Sequence, residues 1–214
     1  MMKPVKGIDL FGKEICGLFV VMSLLWVVPL EGQAQTRSKE IMKKGTIEVG
    51  VLGGYSKAFT ELNGAKSSNR KAVYVLPQIG YVFTDFIDAD PFSGVFEVLF
   101  EPVAAHYHEP FSASLFGASL VLRYNFLAFG RWMPYWDFGA GVSWTDLAPR
   151  IPEQSTKFNF LLQGGPGLQY FLTERSALNV AVRMQHISNA NIGNRNTGIN
   201  SILGLIGYSY YFVD

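Results

Sequence analysis

Thiol chemistry is almost absent from this chain. Its one cysteine, Cys16, lies among the first residues, with no lipidation motif around it, because Lys13-Glu14-Ile15 precedes it. No internal disulfide can form, so stability must have another source. Charge of either sign is also sparse and balanced: 18 Lys and Arg against 17 Asp and Glu leave a net +1. A polyanion binder carries a basic surplus, so there is no nucleic-acid partner to expect. After Leu30 no apolar run is long enough to cross a bilayer as a helix. Between Glu174 and Asp214 there is no carboxylate at all.

What is present begins with a targeting pattern. Lys3, Lys6 and Lys13 precede an apolar run from Ile15 to Leu30, and Gly32-Gln33-Ala34 offers small residues where a signal peptidase reads. The run is short for a spanning helix. Residues 1–34 therefore read as a secretory signal peptide and 35–214 as a single domain of roughly 180 residues.

In that domain, segments of about ten residues alternate apolar and polar, with polar or Gly/Pro-containing breaks between them. The first runs over about 45–55, with Ile47, Val49, Val51 and Tyr55 on one side. The second and third cover about 71–84 and 94–102; the third sets Phe96, Val98 and Phe100 against Glu97 and Glu101. The fourth, fifth and sixth cover about 114–126, 134–145 and 157–172. The seventh places Leu178, Val180, Val182, Met184, His186 and Ser188 on one face, and the eighth, about 199–212, aligns Ile202, Ile206, Tyr208, Tyr210 and Phe212.

One face is almost purely apolar throughout, with aromatics near the segment ends. The other carries Glu97, Glu101, Arg123, Asp137 and Arg183 among Gly, Ser and Gln. A soluble sandwich hides its apolar face; this pattern predicts the inverse, a lipid-facing band around a lumen of paired charges. The predicted fold is all-β: an eight-stranded antiparallel up-and-down transmembrane β-barrel of the outer membrane, closed so that every backbone group is satisfied. A soluble periplasmic or secreted β-sandwich is the alternative. Longer connections at 57–70, 104–111, 146–156 and 189–198 belong outside, and tighter ones at 127–133 and 173–176 on the periplasmic side. Residues 85–92 are longer than this scheme wants. The terminal Tyr208-Ser209-Tyr210-Tyr211-Phe212 resembles the signal read by outer-membrane assembly machinery, the expected folding partner.

The apolar face of the seventh segment ends in a histidine and a serine, where polar groups in lipid are costly. A hairpin centred near Asn194 would set Ser188 opposite Asn200 and His186 opposite Ile202, all on the lipid face. That gathers a nucleophile, a base and a hydrogen-bonding amide at outer-leaflet depth. The N–H groups of Asn189 and Ala190, or the Asn189 amide, are the nearest oxyanion donors. The bland alternative is an interfacial histidine with a hydroxyl ending the strand.

His186-Ile187-Ser188-Asn189-Ala190, followed by Asn196-Thr197-Gly198 and Gly207-Tyr208-Ser209-Tyr210, resembles the C-terminal hairpin of the lipid A 3-O-deacylase (PagL-like, acyloxyacyl hydrolase) family. The close likeness covers about the last thirty residues. It implies Ser188 as nucleophile and His186 as general base, and adds Asn196 to the oxyanion and substrate group. The family's third member, a glutamate on the last strand, corresponds to Asn200. An asparagine accepts the imidazole N–H but cannot stabilise imidazolium by charge. The resemblance thus implies a slower enzyme, an acid supplied elsewhere, or a barrel without catalysis. Lipid A of lipopolysaccharide is the implied partner, with no cofactor and no metal, in the outer membrane of a Gram-negative bacterium. A homodimer is left open.

The alternative function is a non-catalytic structural or adhesive barrel. A palmitoyl-transferase-like barrel would take its acyl donor into the lumen, where the predicted charges leave little room. His106-Tyr107-His108 lacks a full metal-ligand set and reads as a solvated external loop. Asp85, Asp88 and Asp90 lack the glycine and glutamate of a calcium loop.

Overall fold

The structure, a computed structural model, describes residues 34–59, 69–127 and 129–213. The predicted signal segment up to residue 33 lies outside the described residues. A short helix, α1 (Ala34–Ile41), leads into eight strands: β1 (Ile47–Ala58), β2 (Lys71–Val82), β3 (Gly94–Glu109), β4 (Ala113–Phe126), β5 (Trp132–Thr145), β6 (Phe158–Phe171), β7 (Ser176–Ser188) and β8 (Ile199–Phe212). Each pairs antiparallel with its sequence neighbours, and β8 closes on β1. No strand edge is left open.

The inside-out patterning holds on every strand. Leu120, Phe138, Met184 and Ile206 stand at 60–66% exposure, whereas Arg123 and Arg183 in the lumen are at 0%. An exposed apolar belt of this extent has lipid as its natural solvent.

The buried charges form one network. Arg123 Nε donates to Asp137 Oδ1 at 2.8 Å and its Nη1 meets Glu48 Oε2 at 3.2 Å. Arg183 bridges Asp137 Oδ2 at 2.7 Å and Glu101 Oε2 at 2.9 Å. Asn125 Nδ2 donates to Glu97 at 2.9 Å, and Gln163 Nε2 to Glu101 at 2.6 Å. Glu48 belongs to this set although the alternation of the first segment drew no attention to it. Apolar clusters close both ends of the lumen. Ile41 and Met42, at the end of α1, pack with Val82, Val95, Leu127, Met133, Phe171 and Tyr211 at one end. Leu147 and Ile151, from the β5–β6 connection, join the cluster at the other.

One predicted connection is corrected. Residues 104–111 are not a long external loop: β3 continues to Glu109, and three residues, 110–112, turn the chain into β4. His106 and His108 are therefore strand residues on the exterior face. Pro102 reads as a strand break but is not one. It lies level with Pro77 of β2, in a gap of the β2–β3 ladder between Val75↔Ala104 and Ile79↔Phe100. Two residues without an N–H face each other there, and the ladder is interrupted at that pair and resumes on either side of it. Gln78 Nε2 donates to Glu101 at 2.5 Å in the same gap.

Candidate active site

Strand β7 carries His186 and Ser188 on its exterior face, above Val180, Val182 and Met184. Both are half-buried, as is Asn200 on β8. The parity is as predicted but the register is not. His186 pairs directly with Asn200, Met184 with Ile202, and Ile187 with Ile199. The hairpin is thus centred at Gly193 rather than Asn194. Alternation specifies which face a residue takes, and a slip of two leaves that face unchanged. The slip is set by the loop: Ala190 and Asn191 both take left-handed backbone (φ 49° and 62°) immediately after the strand.

This register brings the imidazole and the amide together. His186 Nδ1 lies 2.7 Å from Asn200 Oδ1. An amide oxygen only accepts, so Nδ1 carries the proton, and in the neutral ring that leaves the lone pair on Nε2. Gly198 supports the ring. It is buried, its φ is +76°, and a Cβ there would lie 2.6 Å from His186 Cε1 and 3.3 Å from Nε2. The free nitrogen therefore sits on the side of the hairpin end, where Ser188 is the next exterior residue of its strand. Ser188 and His186 share no hydrogen bond in this structure; such contacts often tighten only around bound substrate.

The remaining predicted residues are divided by the loop. The Asn189 N–H donates to Asn196 Oδ1 at 2.8 Å, and the buried Asn189 Nδ2 to Arg195 O at 2.8 Å. Asn196 Nδ2 donates to Asn191 Oδ1 at 3.1 Å. Asn189 and Asn196 thus hold the loop together. The exposed Ala190 N–H has no protein acceptor among the described residues.

Sequence reasoning missed a second loop that braces the first. Gln154 Nε2, buried, donates to Ile187 O at 2.9 Å; Thr197 N donates to Glu153 O at 3.0 Å; Arg195 Nη2 donates to Pro149 O at 3.1 Å. Glu153 is anchored in turn by an ion pair with Arg70. Burial pulls the Arg70 guanidinium below the usual arginine range, and Glu153 pushes the other way. Nothing in the pattern of residues 146–156 announces these contacts.

Among the described residues no three His, Cys, Asp or Glu side chains converge as a metal site. His108 Nε2 lies 3.3 Å from Tyr55 Oη, and His106 Nε2 lies 3.5 Å from Ser112 Oγ. Asp88 accepts from Ser93, and Asp85 lies 3.8 Å from Lys44 Nζ.

Comparison with known proteins bears on what such a wall-mounted arrangement does. A family model described as lipid A 3-O-deacylase (PagL) matches residues 88–209, more than half of the chain. No curated protein matches it. Among solved structures, the outer-membrane enzyme PagL aligns with TM-score 0.52 at 19% identity, over 76% of this chain and 97% of that one. Neisserial surface protein A aligns with TM-score 0.55 at 16% identity, over 79% of this chain and 100% of that one. At these identities the likeness is one of fold, that of the bacterial outer-membrane barrel.

Proposed function

The chain belongs to the lipid A 3-O-deacylase (PagL) family, and from that premise we propose that it is a serine esterase of the outer leaflet. Its substrate is an ester-linked 3-hydroxyacyl chain of lipopolysaccharide, presented to the barrel's exterior wall. Ser188 Oγ attacks the ester carbonyl while His186 Nε2 takes its proton. The Ala190 N–H faces the developing oxyanion. The tetrahedral intermediate collapses, the C–O bond to the sugar breaks, and imidazolium returns the proton to the departing alkoxide. Water, deprotonated by His186, then cleaves the acyl-serine and releases a 3-hydroxy fatty acid. Residues 1–34 act as the export signal and 35–214 as the working domain.

The observation that carries this reading is the His186–Asn200 hydrogen bond at 2.7 Å on an otherwise apolar exterior. It supplies an oriented base in the tautomer the reaction needs. Asn200 orients without charge, so the transition state lacks the carboxylate found in the family, and a slower enzyme is expected. Mass spectrometry of lipid A from cells with and without the protein is the test. Loss of one ester-linked hydroxyacyl chain, restored by Ser188→Ala, is expected. Identical acylation with a folded barrel contradicts the proposal.

The competing reading is a structural or adhesive barrel. It is favoured by the unbonded Ser188–His186 pair, and it predicts that alanine at both positions leaves lipid A unchanged.

A further inference from the structure

On the wall shared by β8, β1 and β2, two lysines stand side by side. Lys57 of β1 pairs directly with Lys71 of β2, so their side chains leave on one face. Lys57 is exposed and Lys71 half-buried. Like charges in direct cross-strand register destabilise a sheet unless an anion joins them. Glu109 satisfies one of the two: its Oε1 accepts from Lys71 Nζ at 2.9 Å, and its other oxygen is taken by Asn69. Among the described residues Lys57 has no acidic partner.

The position of the pair gives it meaning. Lys57 also pairs with Ile202 on β8, and Ile202 with Met184 on β7, one exterior step from His186. Two strand spacings of about 4.8 Å and two residues of about 3.3 Å put the Lys57 and His186 Cα atoms about 12 Å apart along the wall. Depth follows from the barrel's stagger. Phe59 of β1 donates its N–H to Asn200 O. From there the row of directly paired residues runs through His186, Leu162, Ala140, Leu120, Phe100 and Ile79, and returns to β1 at Val49. The row therefore descends from β1 through β7, and Phe59 sits above His186. Lys57, one exterior step below Phe59, emerges near the depth of His186 itself.

We infer that Lys57 and Lys71 form an anion subsite that holds a phosphate of the glycolipid headgroup while an ester of the same molecule reaches Ser188. The inference rests on the deacylase reading for the identity of the lipid. A phosphate held by Lys57, and by the N–H donors that Lys71 keeps beyond its Glu109 pair, gives Lys57 its counter-charge and fixes the sugar laterally, leaving the acyl chains on the apolar wall toward β6 and β5.

The test is equilibrium binding, which needs no turnover. The full chain carrying Ser188→Ala, in neutral-detergent micelles, is titrated with lipid A and with lipid A stripped of phosphate by phosphatase. Lipid A should bind about tenfold more tightly, the worth of one charge-assisted contact. Lys57→Gln should remove most of that preference, leave affinity for the stripped lipid unchanged, and not lower the thermal midpoint. Equal affinity for the two lipids, or a preference that survives Lys57→Gln with Lys71→Gln, overturns the subsite. Inorganic phosphate binding as tightly as lipid A assigns the lysines to a free anion and overturns the headgroup reading. A phosphate preference without hydrolysis by the unsubstituted chain would sink the deacylase and keep the subsite; hydrolysis without a preference would do the reverse.

Discussion

Replacing Asn200 by aspartate changes one atom of the orienting group and nothing of its length. The acceptor stays near its present 2.7 Å from His186 Nδ1, so the tautomer is kept and only charge is added. Two unit charges about 4 Å apart at an effective dielectric of about 20 interact by about 4 kcal/mol. The site is half-buried against lipid, so desolvating a new carboxylate takes back about half of that. The remaining ~2 kcal/mol acts on the imidazolium of the transition state and corresponds to about thirtyfold in kcat. The assay is release of 3-hydroxy fatty acid from lipid A in mixed micelles, followed across pH. Asn200→Ala, which leaves the ring without an acceptor, should fall below the unsubstituted protein. An aspartate variant no faster on the plateau, together with an alanine variant no slower, would refute the role given to Asn200.

Three further outcomes follow from the same geometry. Gly198→Ala places a Cβ 2.6 Å from His186 Cε1 on backbone at φ +76°; hydrolysis should be lost while circular dichroism still reports a folded barrel. Arg183→Met leaves Glu101 and Asp137 without the guanidinium that bridges them, and thermal or urea unfolding in detergent should show a loss of about 3–5 kcal/mol. Val182→Arg puts a charge on an exterior position that is 50% exposed, and bilayer folding titrations should register a penalty of about 2–4 kcal/mol if that position faces the membrane midplane. No penalty would mean the wall does not face lipid.

The barrel could be read from alternation because each strand has a pure face. Met184 and Arg183 differ in one step of parity, and only an inverted interior accommodates both. The exterior placement of His186, Ser188 and Asn200 is legible for the same reason. Three features were not, each for a physical cause. Alternation has period two and is blind to a slip of two, so the pairing of His186 with Asn200 needed the left-handed turn at Ala190 and Asn191. The length of β3 was hidden by Pro102, which interrupts the ladder only locally, level with Pro77, before pairing resumes at Ala104. The bracing of the β7–β8 loop by Gln154, Glu153 and Arg195 is a contact between distant loops with no periodic signature.

The central claim is that a nucleophilic serine sits on the lipid-facing wall beside an oriented base. A lipid-soluble fluorophosphonate applied to the full chain in liposomes tests it directly, with peptide mass spectrometry locating the adduct. One adduct on Ser188, absent in Ser188→Ala and strongly slowed in His186→Ala, is the predicted result. A folded barrel that takes no label, or takes it at another residue, would contradict the account.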